Sequence, residues 1–425
     1  GPFLSAKDQK AAIYNKTFIG GLSNEYQISN RLKNVISVFG SYTDLENPFI
    51  TNYETRTEKN LGFRTYFSYE NRDKEDFLWE MQLGGEGQKG WYNVNNYKNN
   101  LGVRGSQTDD DYLENLQHFY FYRFKTKLYQ KLTAEASIGL NFNNINFKKS
   151  VEGEDNVNGE INFDKSWMPR LGLSYAATDN FALRASISKG YSTPTIAEVR
   201  SSDNKINQNL NAETGINYEA GIRFETHDRR FIADLAAYNY QLDNAIIRQL
   251  NEPGNEFLQN AGKIDQKGIE AQILTQLIAN ENAQFLNGLI LSSNLTYQDY
   301  KFKDYVIGEN NFNGNKVTSV PNWIWANTLS FKFIKDIDLN LLHNFTSSIP
   351  LNDANTVSAS KYHVLQAKIS WLTPISSKYK LQVFTGADNI LDEKYSLGND
   401  INAMGNRYFN AAPTRNFYAG VKVIM

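Results

Sequence analysis

The stretch Tyr379–Met425, YKLQVFTGADNILDEKYSLGNDINAMGNRYFNAAPTRNFYAGVKVIM, decides how the rest of the chain is read. It divides into a strand, a long polar loop and a closing strand. In the closing strand Phe417, Ala419, Val421, Val423 and Met425 fall on one side, and Tyr418, Gly420 and Lys422 on the other. That is the period of two that a β-strand imposes on its side chains. A water-soluble sandwich shows the same alternation. Here it runs to the last residue without a polar tail, and the same grammar recurs upstream, as in a barrel whose strands have lipid on one side.

Working outward, Tyr120, Tyr122, Phe124 and Leu128 alternate with Arg123, Lys125 and Lys127, and Ala136, Ile138, Leu140 and Phe142 with Glu135, Ser137, Gly139 and Asn141. Phe181, Leu183, Ala185 and Ile187 oppose Arg184, Ser186 and Ser188, while Tyr218, Ala220, Ile222 and Phe224 oppose Glu219, Gly221, Arg223 and Glu225. Leu365, Ala367, Ile369 and Trp371 oppose Gln366, Lys368 and Ser370. One face suits lipid and the other a water-filled lumen. Connections of two kinds separate these runs. Short polar turns are expected at Ser29–Lys33, Asn71–Asp76, Gln130–Thr133, Ala177–Asn180, His227–Arg230, Asn280–Ala283, Lys335–Asp336 and Ser376–Lys378. Long polar loops are expected at Gly87–Asn115, Lys149–Lys165, Tyr191–Asn211, Lys303–Val320 and Ser396–Ala412. A transmembrane barrel alternates connections in this way, short inside and long outside.

Composition agrees with that reading. The chain has 425 residues, of which 21% are charged and 13% aromatic, and only 9 are prolines. No run approaches the roughly 18 to 20 apolar residues of a spanning helix. The balance of 44 Lys and Arg against 46 Asp and Glu gives no reason to expect nucleic acid as a partner. Without cysteine there is no disulfide, thiolate metal site or cysteine nucleophile. His118, His227, His343 and His363 are far apart in the sequence and lack the short spacing of helix-borne metal sites. Neither a metal site, a cofactor nor a catalytic residue is expected. A barrel enzyme would need a convergent Ser, His and acid group at its rim, and no such cluster is visible.

The strand count comes to about seventeen, each long enough for the roughly 9 to 11 residues that cross a bilayer at a tilt. Single-chain bacterial barrels have even counts, so the expectation is a partial barrel. Its free edges fall at about Tyr14–Ile28 and Arg415–Met425, and Gly1–Lys10 belongs to an external loop. The opening GPFLSAKDQK has no charged stretch followed by an apolar one, so an exported precursor is expected to be longer.

The segment GADNILDEKY (386–395), followed by RYFNAAPTRNFYAGVKV (407–423), resembles the C-terminal signature of TonB-dependent outer-membrane receptors, although Met425 stands where that family usually ends in an aromatic. SKGYSTPTIAEVRSS (188–202) resembles their S-x-G-[FY]-R-x-P-x-x-x-E segment, with Ser192 in place of Arg. LNAETGINYEAGIRF (210–224) resembles their L-x-P-E-x-x-x-x-x-E-x-G segment, with Ala212 in place of Pro, and FLQNAGKIDQKGIEAQI (257–273) the hairpin that follows. Within these motifs Gly190, Gly221 and Gly268 are expected where a strand bends or a bulky lumen neighbour needs room. Glu198, Glu219 and Glu270 are expected to face the lumen and pair with Arg223 or Arg184.

The resemblance implies an all-β fold: residues 1–425 as strands 6 to 22 of an antiparallel barrel of about 22 strands, with the plug domain absent from this sequence. It also implies a place in the bacterial outer membrane and active import of a ferric chelate such as a siderophore. The implied partners are outer-membrane lipid, a small-molecule ligand, and the TonB complex through a plug segment not in this chain. Haem, cobalamin or glycan import, a passive porin and a non-transporting adhesin are the alternatives. Candidate ligand contacts are the loop aromatics and cations Trp91, Tyr92, Arg104, Tyr191, Arg200, Arg248, Arg407 and Tyr408, because anionic chelates favour Arg and flat ligands favour aromatic faces.

Overall fold

The computed structural model describes residues 5–151, 156–200, 205–250, 256–280, 282 and 284–425. Parts of the expected segments Gly1–Lys10, Lys149–Lys165, Ser188–Ser202 and Asn280–Ala283 lie outside the described residues. Among those described, seventeen strands form one antiparallel sheet. They are β1 (Tyr14–Gln27), β2 (Leu32–Pro48), β3 (Tyr53–Lys74), β4 (Phe77–Asn100), β5 (Val103–Leu128), β6 (Leu132–Val151), β7 (Val157–Ala176), β8 (Phe181–Ser192) and β9 (Glu213–Glu225). The order continues with β10 (Phe231–Asp243), β11 (Lys263–Ala279), β12 (Leu286–Asp304), β13 (Trp323–Phe333), β14 (Ile337–Thr346), β15 (Tyr362–Pro374), β16 (Lys380–Asp388) and β17 (Asn416–Ile424). Each strand pairs with the next in chain order, so the sheet is one continuous meander. Among the described residues β1 pairs only with β2 and β17 only with β16, which leaves the sheet open at the two edges expected.

The two faces separate as the alternation requires. Leu61, Phe63 and Phe67 of β3, Leu183 and Ile187 of β8, Ile369 and Trp371 of β15, and Phe417, Val421 and Val423 of β17 all stand exposed on the outward face. The inward face carries ion pairs between neighbouring strands, with Arg64 3.4 Å from Glu86, Arg123 2.7 Å from Glu135 and Arg184 2.6 Å from Asp234. Arg184 also lies 3.7 Å from Glu219, as the motif reading anticipates. Arg223 instead meets Glu225 and Asp234, and Glu198 serves a helix cap described below. Two motif glycines make room for lumen side chains. A Cβ on Gly221 would lie 2.7 Å from the Arg184 guanidinium carbon, and one on Gly268 2.3 Å from the Tyr238 hydroxyl.

In their described parts the short turns fall where the sequence placed them, except that Asn71–Lys74 continues β3 and leaves only Glu75–Asp76 as the turn, and several need left-handed backbone. Tyr129 and Gln130 have φ of 49° and 57°, and Lys335 and Asp336 63° and 55°, the geometry that matches the twist of flanking strands. Two of the expected long loops are strand instead. Gly87–Asn115 forms the upper part of the β4–β5 hairpin, which runs in paired register to a turn at Leu101 (φ 54°) and Gly102 (φ 85°). Most of Lys149–Lys165 belongs likewise to β6 and β7. Gly- and Asn-rich composition disfavours strand locally, yet a strand already paired on both sides extends its neighbour wherever the backbone groups match. The loops at Tyr191–Asn211, Lys303–Val320 and Ser396–Ala412 are found as loops in their described parts.

The wall is therefore uneven. β4 and β5 have 24 and 26 residues, whereas β13 and β14 have 11 and 10 and β16 and β17 have 9 each. The tall hairpins rise well past the roughly 9 to 11 residues that a bilayer covers. At their tip Asn99 donates to the Gln9 carbonyl at 3.0 Å, which sets the described N-terminal residues at the long-loop end.

The outward assignment has a direct check. Ala185 stands outward between Leu173 and Ala220, and Ser186 inward opposite Glu219. In the protein folded into lipid, Ala185→Arg should cost about 2 to 4 kcal/mol near the midplane, and Ser186→Arg far less. Denaturant titration in lipid vesicles measures both. Equal costs would reverse the two faces. Ser370, also inward, is only 7% exposed and makes no suitable control.

A candidate ligand pocket on the lumen wall

After β8 the chain turns inward. Thr195 caps a one-turn helix, α1 (Ile196–Val199): its hydroxyl accepts from the Glu198 amide at 3.3 Å, and the Glu198 carboxylate accepts from the Thr195 amide at 2.7 Å. This reciprocal capping box needs Thr and Glu three residues apart, and it uses the motif glutamate that the sequence assigned to a wall ion pair. The fully buried Val199, with Ile196 beside it, packs on Leu113 of β5, Ile145 and Phe147 of β6, and Ile161 and Phe163 of β7. An apolar patch on the otherwise polar inner face thus holds the helix, and with it Arg200, against the wall.

Arg200 closes a buried chain of charges. Its side chain is 4% exposed. Nε donates to Asp111 Oδ2 at 2.5 Å, and Nη1 lies 3.5 Å from Glu54 Oε2. Asp111 also accepts from Lys149 Nζ at 3.1 Å, which is shared with Asp109. Arg56 stands between Glu54 at 2.7 Å and Glu58 at 3.5 Å. Buried charges persist in this way only when each is paired and hydrogen-bonded.

Beside this chain lies a cavity of about 300 Å³, lined by Arg56 and Glu58 of β3, Tyr92 and Val94 of β4, Asn115 and Gln117 of β5, Asn143 of β6 and the Thr193–Ala197 segment with Arg200. The Tyr92 hydroxyl is fixed by Asn60 Oδ1 at 2.9 Å. Four polar atoms of lining residues are buried without a hydrogen-bond partner in the protein: Arg200 Nη2, Arg56 Nε, Asn115 Oδ1 and Asn143 Oδ1. Such groups cost about 1 to 3 kcal/mol each when left unpaired. Two guanidinium donors and two amide oxygens around one small space suit a ligand substituent that carries anionic or carbonyl oxygens together with a donor.

Of the eight residues singled out from sequence, Tyr92 and Arg200 meet at this cavity. Trp91 follows the strand alternation to the opposite face, where Lys89 Nζ sits 5.3 Å from its ring. Arg104 stands over Tyr53 and Tyr97 at 5.6 and 5.3 Å near the hairpin tip. Tyr191 donates to the Asp164 carbonyl at 2.6 Å in a separate cavity of about 500 Å³. Arg248 lies on a short hairpin in the β10–β11 loop. Arg407 is exposed, and Tyr408 is buried with Ile349, Leu351 and Ala359. Sequence reading missed Arg56, Glu58, Asn115, Gln117 and Asn143, although the inward run Glu54, Arg56, Glu58, Asn60 shows period two. His343 and His363, distant in sequence, meet at 3.0 Å on the outward face. Among the described residues no group of three or more His, Cys, Asp or Glu is placed to hold a metal.

An antiparallel meander with an apolar outer face and a charged inner face defines the wall of an outer-membrane β-barrel. The family model described as "TonB dependent receptor-like, beta-barrel" matches residues 4–390, and the chain belongs to that family of outer-membrane receptors. Over 299 residues it is 26% identical to the ferric enterobactin receptor PirA of Pseudomonas aeruginosa, covering 61% of this chain and 37% of that receptor. Over 109 residues it is 28% identical to the metal-pseudopaline receptor CntO of the same species, covering 26% of this chain and 14% of that receptor. The chain thus spans little more than a third of the length of the first of these relatives. The fold is shared with the unliganded ferric citrate transporter FecA (TM-score 0.79, 16% identity, 97% of this chain and 62% of that one). It is shared equally with the siderophore receptor PiuA of Acinetobacter baumannii (TM-score 0.78, 12% identity, 98% and 65%).

Replacing Arg200 by Met leaves Asp111 buried with Lys149 as its remaining cation. The expected loss of stability is about 3 to 5 kcal/mol, the range for breaking one side of a buried pair. Thr195→Ala, which removes only the cap, should cost about 1 kcal/mol. Chemical denaturation of the two variants in detergent gives the comparison, and similar losses would mean that Arg200 contributes only as part of the helix.

Proposed function

We propose that this chain forms most of the barrel of a receptor that captures a ferric chelate of the siderophore type from outside the cell and imports it with energy delivered through TonB. The observation that carries the reading is the lumen pocket, where buried guanidinium and amide groups from three strands and the α1 segment converge with unfilled hydrogen-bonding capacity. Ferric chelates present anionic and carbonyl oxygens at their surface, and paired guanidinium groups bind such oxygens strongly in a site withdrawn from bulk water. The named relatives, a ferric enterobactin receptor and a metal-pseudopaline receptor, support the same ligand class.

The two free sheet edges support a second part of the proposal. In hydrocarbon each unpaired backbone group costs several kcal/mol, so the wall needs partners for β1 and β17. About five further strands would complete a barrel of about 22 strands, with a plug in its lumen. The plug would carry the segment that TonB engages.

Uptake of radio-iron complexes of catecholate, hydroxamate and carboxylate chelators tests the reading, measured in cells with the receptor as their sole importer, with and without TonB. Import of at least one complex that vanishes without TonB is expected. Equal uptake in both strains would point to a passive pore. For the complex imported, Arg56→Gln should weaken binding by roughly ten- to a hundredfold, the worth of a hydrogen bond to a charged group. Unchanged affinity, read by equilibrium binding to whole cells, would remove the pocket from the ligand's path.

A further inference from the structure

The connections after β10 (residues 244–262), β12 (305–322), β14 (347–361) and β16 (389–415) converge on one carboxylate. Asp353, in the third of these loops, is 7% exposed. Its Oδ2 accepts from Tyr305 Oη at 2.8 Å, Asn402 Nδ2 at 3.1 Å and Gln249 Nε2 at 3.2 Å, and its Oδ1 accepts from Thr318 Oγ1. The Asp353 amide donates to Asn402 Oδ1 at 3.0 Å, and its carbonyl accepts from Asn315 at 2.8 Å. Every one of the four loops therefore has a side chain on, or is the source of, this acid. All the donors are uncharged, an arrangement in which a carboxylate is held by hydrogen bonds alone. Burial, with the Asp353 carboxylate beside it, pushes the Tyr305 phenol above its ordinary range and keeps it a donor.

Apolar packing extends the same connection. The Tyr305 ring lies 4.7 Å from Phe302 and 5.0 Å from Phe312, within a cluster that includes Ala245 and Ala261 of the first loop. On the other side Leu351, fully buried, packs with Ile349 and Ala359 of its own loop and with Tyr408 of the fourth. Backbone bonds cross between loops as well, from Asn402 to the Leu351 carbonyl at 2.9 Å and from Ser319 to the Pro350 carbonyl at 2.8 Å. Surface loops ordinarily fluctuate one by one. Here all four share one carboxylate.

We propose that the described residues of these four loops form a single rigid section of the receptor's rim, clamped by Asp353. Hydrogen exchange followed by mass spectrometry on the receptor in detergent tests this, comparing wild type with Asp353→Ala and Tyr305→Phe. Asp353→Ala should accelerate amide exchange in peptides from all four loops together, by at least about tenfold, while peptides of β3–β5 keep their rates. Acceleration confined to residues 347–361 would overturn the proposal. If Asp353→Ala fails to fold, Tyr305→Phe decides alone, since it removes one donor and keeps the ring. A smaller acceleration shared by the four loops supports the clamp; a change confined to 305–322, or none, refutes it.

Discussion

Backbone hydrogen bonding in a medium without water governs this structure. A peptide group facing hydrocarbon has no partner except the neighbouring strand, so each strand must pair with the next, and seventeen do so in chain order with local bulges. Given that constraint, side chains need only satisfy their surroundings, apolar where lipid lies and polar where the lumen is wet. Little of the chain is spent on a conventional core. The buried apolar clusters are small and occur where a loop or the α1 turn is fastened to something else.

That economy explains the asymmetry of the rim. In the first half the strands themselves continue upward, β4 and β5 for 24 and 26 residues, and pairing supplies the rigidity. From β13 onward the strands have only 9 to 13 residues and the connections take over, held by packing and by side-chain hydrogen bonds. The pocket lies against the tall side. Its walls are regular strands whose positions are set by register, and only α1 and its flanks are irregular. A site built on strands holds its geometry better than one built on loops alone.

The parts of this arrangement that were legible in the sequence are the local ones. Period two is visible in any single strand, so the outward Leu183 and Ile187 and the inward Arg184 needed no knowledge of their neighbours. Turns such as Gln130–Thr133 announce themselves by polar residues between two alternating runs. Gly87–Asn115 reads as a loop because its Gly and Asn residues speak against strand locally, whereas the partners that hold it in a ladder, Tyr53–Phe63 and Ile145–Val151, lie elsewhere. The pocket was less legible still. Its charge chain joins Glu54 to Arg200 across 146 residues, and nothing in either neighbourhood announces the other. Trp91 and Tyr92 show the limit well: adjacent in sequence and alike in chemistry, they end on opposite sides of the wall.

The upper part of the β4–β5 hairpin has one more consequence. There the outward face meets water rather than lipid, and it carries the Lys89–Glu114 pair at 2.9 Å and Arg104 near Glu46 at 3.8 Å in place of an apolar band. Its inward face lines the pocket, and its outward face carries none of the pocket's lining residues. Side chains alternate between the two faces along the same strands, so its outward residues can be substituted without touching the lining of the pocket.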